Sequence, residues 1–375
     1  MRIAIDSNVF TMQKYGGVSR YLVRLSEELI RLGNEVEIHG WLHTNRHLED
    51  SASSLTRMRY IDHFPRRTRR IAHHAGDLLA GWHLARHRPD LIHESFCHKR
   101  RVGPIGIPRV CTVHDMIHEL YPQFWGPMDR TPEYRKATIA RCQAVICVSE
   151  STKRDLLRLV DLDPSKVHVI HHGFESNTSR QELGPDEERL LHSSVTRPFL
   201  LYVGARHSYK NFVGLLHGLA QAGTSKDVGI IAFGGGPLKP AEVEEISKLG
   251  FNAGSVHQIS GSDALLAALY RKAEAFVYPS LYEGFGFPPL EAMAEGCPVI
   301  SSNVSSMPEV IGDAAEFFDP AEIETMAAAL DAVIQSETRR KELRELGFQR
   351  IQCYPWSECA AKTEAIYRGI TSKIN

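Results

Sequence analysis

An α/β fold made of two Rossmann-like units in tandem is what this sequence predicts, from three observations. Short apolar runs alternate with longer amphipathic stretches from end to end. The alternation weakens once, in a polar, turn-rich stretch near the middle. The 375 residues also exceed what one hydrophobic core usually supports, so two domains are expected.

In the first half the apolar runs are Ile3–Ile5, Val36–Ile38, Leu91-Ile92, Val110–Val113, Val145–Val148 and Val167–Ile170. Most are followed by helix-like segments. In the clearest, Gly17 to Leu32, residues Leu22, Leu25, Leu29 and Leu32 share one face at helical spacing. Short apolar strands separated by helices indicate a parallel sheet covered on both faces. The polar stretch between Phe174 and Pro198 reads as a linker holding at most one short helix. Strands are then expected at Phe199–Val203, Val228–Phe233, Val256–Ile259, Ala275–Tyr278 and Pro298–Ile300, each followed by a helix. Trp356 to Ile370 reads as a last helix with Ser357 as its N-cap. The expected organisation is thus a first domain over 1–175, a linker over 176–197, a second domain over 198–355, and a helix over 356–375 packing back on the first domain. In such sheets ligands bind beyond the carboxyl ends of the strands, so two units face to face would hold a ligand in a cleft.

Composition excludes several classes. Apolar residues at 43% and charged residues at 24% belong to an ordinary globular protein rather than a disordered one. A formal net charge of −1 gives no push towards nucleic acid, which is not expected as a partner. No run of about 18 apolar residues predicts a transmembrane helix. Met1–Asp6 reads as a strand and lacks the apolar run and cleavage site of a signal peptide, so a cytoplasmic location is expected. The seven cysteines are scattered and form no CxxC pair; they read as buried free thiols, and no metal site is expected.

The segment Pro279–Gly296 is the richest in chemistry. It follows the strand Ala275–Tyr278. Gly284 and Gly286 permit a tight backbone turn, Pro288 and Pro289 start a helix, and Gly296 ends it. Glu283 then lies at a strand's carboxyl end and Glu291 in the first helical turn. Carboxylates there can accept hydrogen bonds from sugar hydroxyls, and the helix N-terminus favours an anion. Taken singly, each acid could equally be a solvated one beside a Gly-Pro turn. A second motif, Leu201–Phe212, follows the first strand of the second half. Gly204 ends the strand, Asn211 can cap the next helix, and Arg206 and Lys210 flank a helix N-terminus, the setting of a diphosphate site. A solvated basic loop is the alternative. A third, Tyr15–Tyr21, sets Gly16 and Gly17 between the first strand and first helix; this is not GxGxxG, so a dinucleotide is not implied. A fourth, Cys111–Met116, puts His114 and Asp115 at a strand end. A lone histidine is more often structural, but this placement favours function.

These residues carry a resemblance. Tyr282-Glu283-Gly284-Phe285-Gly286-Phe287-Pro288 with Glu291-Ala292-Met293, and Ser305–Ala315 downstream, resemble retaining glycosyltransferases of the GT-B fold, in glycosyltransferase family 4. The resemblance implies that Glu283 contacts the transferred sugar and Glu291 the donor ribose. It implies that the backbone at Gly284, Phe285 and Gly286 positions donor groups. Leu201–Phe212 looks like the family's Gly-x-Arg…Lys-Asn signature, which gives Arg206 and Lys210 the β-phosphate, with Gly204 beside it. Many family members space the two cations one residue further apart. Gly16 and Gly17 match a Gly-Gly loop near donor phosphates and acceptor, Gly17 making the closest approach. His114 would reach the transferred sugar, with Asp115 orienting it or meeting the acceptor. Ser260 and Asp263 fall where the base usually binds.

The implied activity is metal-independent hexosyl transfer from a nucleotide-sugar to a saccharide or lipid-linked saccharide. The Tyr-Lys-Asn-Phe form of the second motif looks like bacterial mannosyltransferases that build surface polysaccharide, lipopolysaccharide included, from GDP-mannose; UDP-sugars and other GDP-sugars remain open. No cofactor is implied, because the nucleotide-sugar is a substrate. Asp161-Leu162-Asp163 precedes Pro164 and reads as a turn, not as the metal-holding Asp-x-Asp of other glycosyltransferases. An epimerase or silent binding protein of the same fold is the competing reading. Finally, residues 57–101 hold eleven Arg or Lys against four Asp or Glu. They read either as a solvated face or as a surface for anionic lipid headgroups of the inner membrane.

Overall fold

The structure is a computed structural model that describes residues 1–51, 55–65, 68–175, 182–206, 208–224 and 226–372. The chain forms two compact units. One is Met1–Gly173 with the chain from Tyr354 onward, the other Phe174–Cys353.

The first unit is a six-stranded parallel sheet. Its strands are β1 (Arg2–Asp6), β2 (Glu35–His39), β5 (Leu91–Glu94), β6 (Arg109–Val113), β7 (Ala144–Cys147) and β8 (Val167–Val169). Their order is β2-β1-β5-β6-β7-β8. Two short strands absent from the sequence reading, β3 (Leu42–His43) and β4 (Arg59–Tyr60), pair separately. β5 and β7 are buried along their whole length, as strands covered on both faces must be. The helix Gly17–Arg31 buries Tyr21, Leu22, Leu25 and Leu29, and these pack with Trp356, Ala360 and Tyr367 of the helix Trp356–Thr371. That last helix is capped at Pro355, so Ser357 lies inside its first turn and is not the N-cap.

The second unit repeats the plan. Its strands are β9 (Phe199–Val203), β10 (Gly229–Phe233), β11 (Val256–Ile259), β12 (Ala275–Tyr278), β13 (Val299–Ser302) and β14 (Ala315–Phe318). All are parallel, in the order β11-β10-β9-β12-β13-β14. The chain leaves β9 towards β10 and returns to its other side with β12, so the direction of winding reverses between β9 and β12. A crevice at the carboxyl ends of those two strands follows from this topology. Residues 176–181 of the expected linker lie outside the described residues. Residues 182–197 are part of the second unit: Pro185–Ser194 is a helix that buries Leu191 and packs on the helix Asp263–Lys272.

Candidate functional site

At the β9/β12 switch point an ion pair stands between two loops. Past β9, Gly204 takes φ +117, a conformation that suits glycine, and the chain turns through Ser208–Lys210. The Tyr202 hydroxyl holds this loop by donating to the carbonyls of Ala205 and Lys210. Past β12, Leu281 N donates to Tyr209 O at 2.7 Å, which ties the two loops together. Lys210 Nζ then donates to Glu283 Oε1 at 2.6 Å. Both side chains stay partly open to solvent, at 21% and 13%. The same ammonium lies 5.1 Å from the Tyr209 ring centroid and 5.6 Å from that of Tyr278.

Glu283 is held from behind. Its N–H donates to Ser305 Oγ at 2.9 Å, and its carbonyl accepts from the hydroxyls of Ser305 and Ser306. The buried Tyr278 hydroxyl also bonds the Glu283 carboxylate, and burial together with that negative charge pushes the phenol well above its usual range. Tyr278 is therefore a neutral donor. Gly286, at φ +101, ends this loop; a Cβ there would lie 3.5 Å from Tyr278 Cε1. It caps the helix Phe287–Ala294. Phe285 is buried with its ring 5.5 Å from Phe287, so only its backbone and that of Gly284 remain to serve a ligand.

Glu291 departs from expectation in one respect. The helix already starts at Phe287, so Glu291 is its fifth residue and lies past the first turn. Its carboxylate does not complement the helix dipole. It lies near the buried Tyr270 hydroxyl, whose pKa is raised by burial and then by Glu291.

Arg206 and Lys210 do not act alike. Arg206 is 5% exposed. Its Nη1 donates to Gly234 O at 2.8 Å, and its Nη2 to Gly236 O and Pro237 O at 2.7 and 2.8 Å. Glu242 neutralises it, 3.3 Å from Nε. All three guanidinium nitrogens are engaged, so Arg206 braces the loop after β10, while Lys210 alone of the two reaches Glu283. The loop that Arg206 braces was missed in the sequence. Gly234, Gly235 and Gly236 all have positive φ, and Gly234 and Gly236 have open space where a Cβ would stand. A Gly-Gly-Gly-Pro run directly after an apolar strand was the available signal. Asn211 is also placed differently: at φ +53 it begins the helix Phe212–Gln221 without a side-chain cap bond. His207 lies outside the described residues.

Ser260 and Asp263 sit at the end of β11, both exposed. Ser260 Oγ accepts from Gln258 Nε2 at 2.7 Å. Ser262 caps the helix Asp263–Lys272 and itself donates, through N and Oγ, to Glu187 at 2.8 and 3.0 Å. Glu187 comes from the stretch read as linker and carried no sequence signal.

In the first unit, Gly17 opens the helix Gly17–Arg31, and a Cβ there would meet no atom within 4 Å. Gly16 is extended and faces Gln13, whose side chain a Cβ would strike at 2.2 Å. His114 follows β6. Its ring stacks on His172 at 5.3 Å, with Tyr21 edge-on at 5.2 Å. Burial lowers its pKa to about 4, so the ring is neutral at pH 7, and its Nε2 is buried without a hydrogen-bond partner. Asp115 does not orient His114. Its carboxylate caps Ile117 N at 3.2 Å and pairs with Arg135 at 3.5 Å. The ring partner is His172, which no sequence context had singled out. Asp163 of the Asp-x-Asp tripeptide caps a turn by accepting from Ser165 N and Oγ at 2.9 and 2.8 Å.

Known proteins match both units. The family described as "Glycosyltransferase Family 4" matches residues 15–177, and "Glycosyl transferases group 1" matches residues 186–350. The chain is 27% identical over an alignment of 421 positions to an MMP alpha-(1->4)-mannosyltransferase of Mycolicibacterium hassiacum, covering 100% of this chain and 99% of that one. It is 28% identical over 268 residues to O-antigen chain mannosyltransferase B of Escherichia coli, covering 69% and 70%. Among solved structures, sucrose-phosphate synthase of Thermosynechococcus elongatus shares the fold at TM-score 0.74 over 100% of both chains, with 19% identity. With its two parallel-sheet units and both family matches, the chain belongs to the GT-B glycosyltransferases of family 4.

Proposed function

We propose that the chain moves a hexose, with mannose from GDP-mannose ranked first, onto a saccharide or lipid-linked saccharide acceptor in bacterial surface polysaccharide synthesis. The names of the two mannosyltransferase relatives support the sugar. The observation that carries the reading is the Lys210–Glu283 pair at the switch point of the second sheet. On this reading the donor diphosphate takes over the Lys210 ammonium, beside the glycine-lined ends of β9 and β10. Glu283, still held by Tyr278 and the two serines, then reads hydroxyls of the transferred sugar. Glu291 takes the ribose, Ser260 and Asp263 the base, and the backbone at Gly204, Gly284, Phe285 and Gly286 the groups between. Gly16, Gly17 and His114 are the first unit's own candidates for contacts to sugar and acceptor.

The anomeric bond to the phosphate oxygen breaks through an oxocarbenium-like state, and the acceptor hydroxyl adds on the same face. The departing phosphate takes the acceptor's proton. Lys210 stabilises the charge that develops on the leaving group, so no metal is required at the diphosphate. Turnover unchanged on omitting Mg²⁺ and Mn²⁺ is the expected result.

Among the described residues no helix is long and apolar enough to cross a membrane. The helix Arg69–His87 nevertheless exposes Ile71, Leu78 and Trp82, which fall on one stripe, beside Arg69, Arg86 and Arg88. Arg66 and Arg67 lie outside the described residues. Apolar anchors among basic residues suit an anionic lipid surface, so we place the enzyme at the cytoplasmic face of the inner membrane. Co-sedimentation with phosphatidylglycerol vesicles, lost in an Ile71→Ser, Trp82→Ser double variant, is the check.

A thermal-shift panel with GDP, UDP, ADP and CMP tests the donor class. A rise with GDP alone is expected. A rise with UDP alone would reassign the donor, and no rise with any would remove the nucleotide-sugar reading.

A further inference from the structure

A second cluster of chemistry lies wholly within the first unit. His73 and Asp77 are four residues apart on the helix Arg69–His87 and therefore share a face. His98 comes from the loop after β5. All three side chains are largely buried, at 19%, 13% and 16% exposure. Asp77 Oδ2 lies 3.4 Å from His73 Nδ1 and 3.8 Å from His98 Nε2. Yet that oxygen is buried and makes no bond of hydrogen-bond geometry.

His98 is the informative member. Its Nδ1 is 2.8 Å from Arg100 O. A carbonyl only accepts, so Nδ1 carries the hydrogen, and neutral imidazole then leaves a lone pair on Nε2. That lone pair meets a carboxylate oxygen, and two electron-rich atoms facing each other call for a proton or a metal ion between them. The residue is also rigidly set. Its N–H donates to Thr138 Oγ1 at 3.0 Å, and its carbonyl accepts from Thr138 Oγ1 and from Arg141 at 3.2 and 2.7 Å. A ring nitrogen fixed by a bond from the other nitrogen to a carbonyl is how histidine ligands are held. Ligand atoms about 2.0–2.1 Å from a tetrahedral ion stand roughly 3.4 Å apart, close to both spacings here. A proton on His98 Nε2 would answer Asp77 Oδ2 alone; a metal also draws in His73 Nδ1 as a third ligand.

We propose that His73, Asp77 and His98 bind one divalent transition metal of the zinc type, which ties the helix Arg69–His87 to the loop after β5. Two imidazoles and one carboxylate suit zinc over magnesium or calcium. The ion braces the first unit and takes no part in sugar transfer. A rival trio, Glu37, His39 and His83, also brings its ligand atoms within 4.8 Å of one another. There Arg57 already stands 3.5 Å from Glu37, so a cation is in place.

The test is titration of the chelator-stripped full chain with zinc sulfate against a chromophoric competitor, with melting curves alongside. One tight equivalent is expected, with a rise in Tm. His98→Asn keeps a donor for the Arg100 carbonyl and removes Nε2. It should weaken zinc by more than about 100-fold and abolish the rise. Asp77→Asn should do the same, and His73→Gln stands in if either fails to fold. The proposal is overturned if wild type binds no zinc, if these variants bind as wild type does, or if His83→Asn is the substitution that removes the ion.

Discussion

The carboxyl ends of the two sheets are built from opposite materials. In the second unit the loops past β9 and β12 present an ion pair, Lys210 with Glu283, beside glycines with no side chain to fill the space. In the first unit His114, in the loop past β6, stacks with His172 from beyond β8 and meets Tyr21 of the helix Gly17–Arg31, all three uncharged at pH 7. The carboxylate next in the chain, Asp115, is spent on a turn and on Arg135. Similar topology thus carries a charged pair past β9 and β12 of one unit and a neutral ring stack past β6 of the other.

The contrast can be broken at its strongest point first. Lys210→Ala should lower kcat by about a thousandfold, roughly 4 kcal/mol of lost transition-state stabilisation, with Tm nearly unchanged. Steady-state kinetics beside a melting curve measure both. Arg206→Ala should do the reverse. It removes the counter-charge of Glu242, which keeps the Lys239 N–H, and takes a donor from three loop carbonyls, of which Gly234 O keeps Gln258, at about 3 kcal/mol of stability, read by urea unfolding. If Arg206→Ala unfolds at the same urea concentration as wild type, the bracing role is wrong. Gly286→Ala comes next. A residue with a Cβ at φ +101 is strained by about 2 kcal/mol although its Cβ would only touch Tyr278, so stability should fall, and turnover with it if the loop moves to relieve the strain.

The smallest effect belongs to the first unit. His114 has a folded pKa of about 4 against an ordinary 6.5. Its contribution to stability is complete above pH 6.5 and is lost as pH falls towards 4, because the unfolded chain takes up the proton first. Between pH 6.5 and 5.5 that amounts to about 1 kcal/mol, which His114→Asn should remove from the pH profile of unfolding. His93 and His39, both lowered to about 3, will still make the fold acid-sensitive in that variant.

Apolar runs made most of the sheets legible, since a strand buried on both faces has little choice but Val, Ile and Leu. β14 escaped because Glu316 interrupts the short apolar run Ala315–Phe318. The pairing of Lys210 with Glu283 was legible as two motifs at strand ends, although 73 positions apart. Arg206 was not, because its role depends on where three carbonyls of a distant loop point, and carbonyl direction has no sequence signature. His172 and Glu187 failed for the same reason: each acts through a partner that only the tertiary fold brings near.

The central claim is that Lys210 receives the anionic leaving group. Calorimetric titration of GDP into wild type and into Lys210→Ala tests it most directly. The account predicts measurable binding to wild type and an affinity at least about tenfold weaker in the variant, with both proteins equally folded. Equal affinity in the two would contradict it.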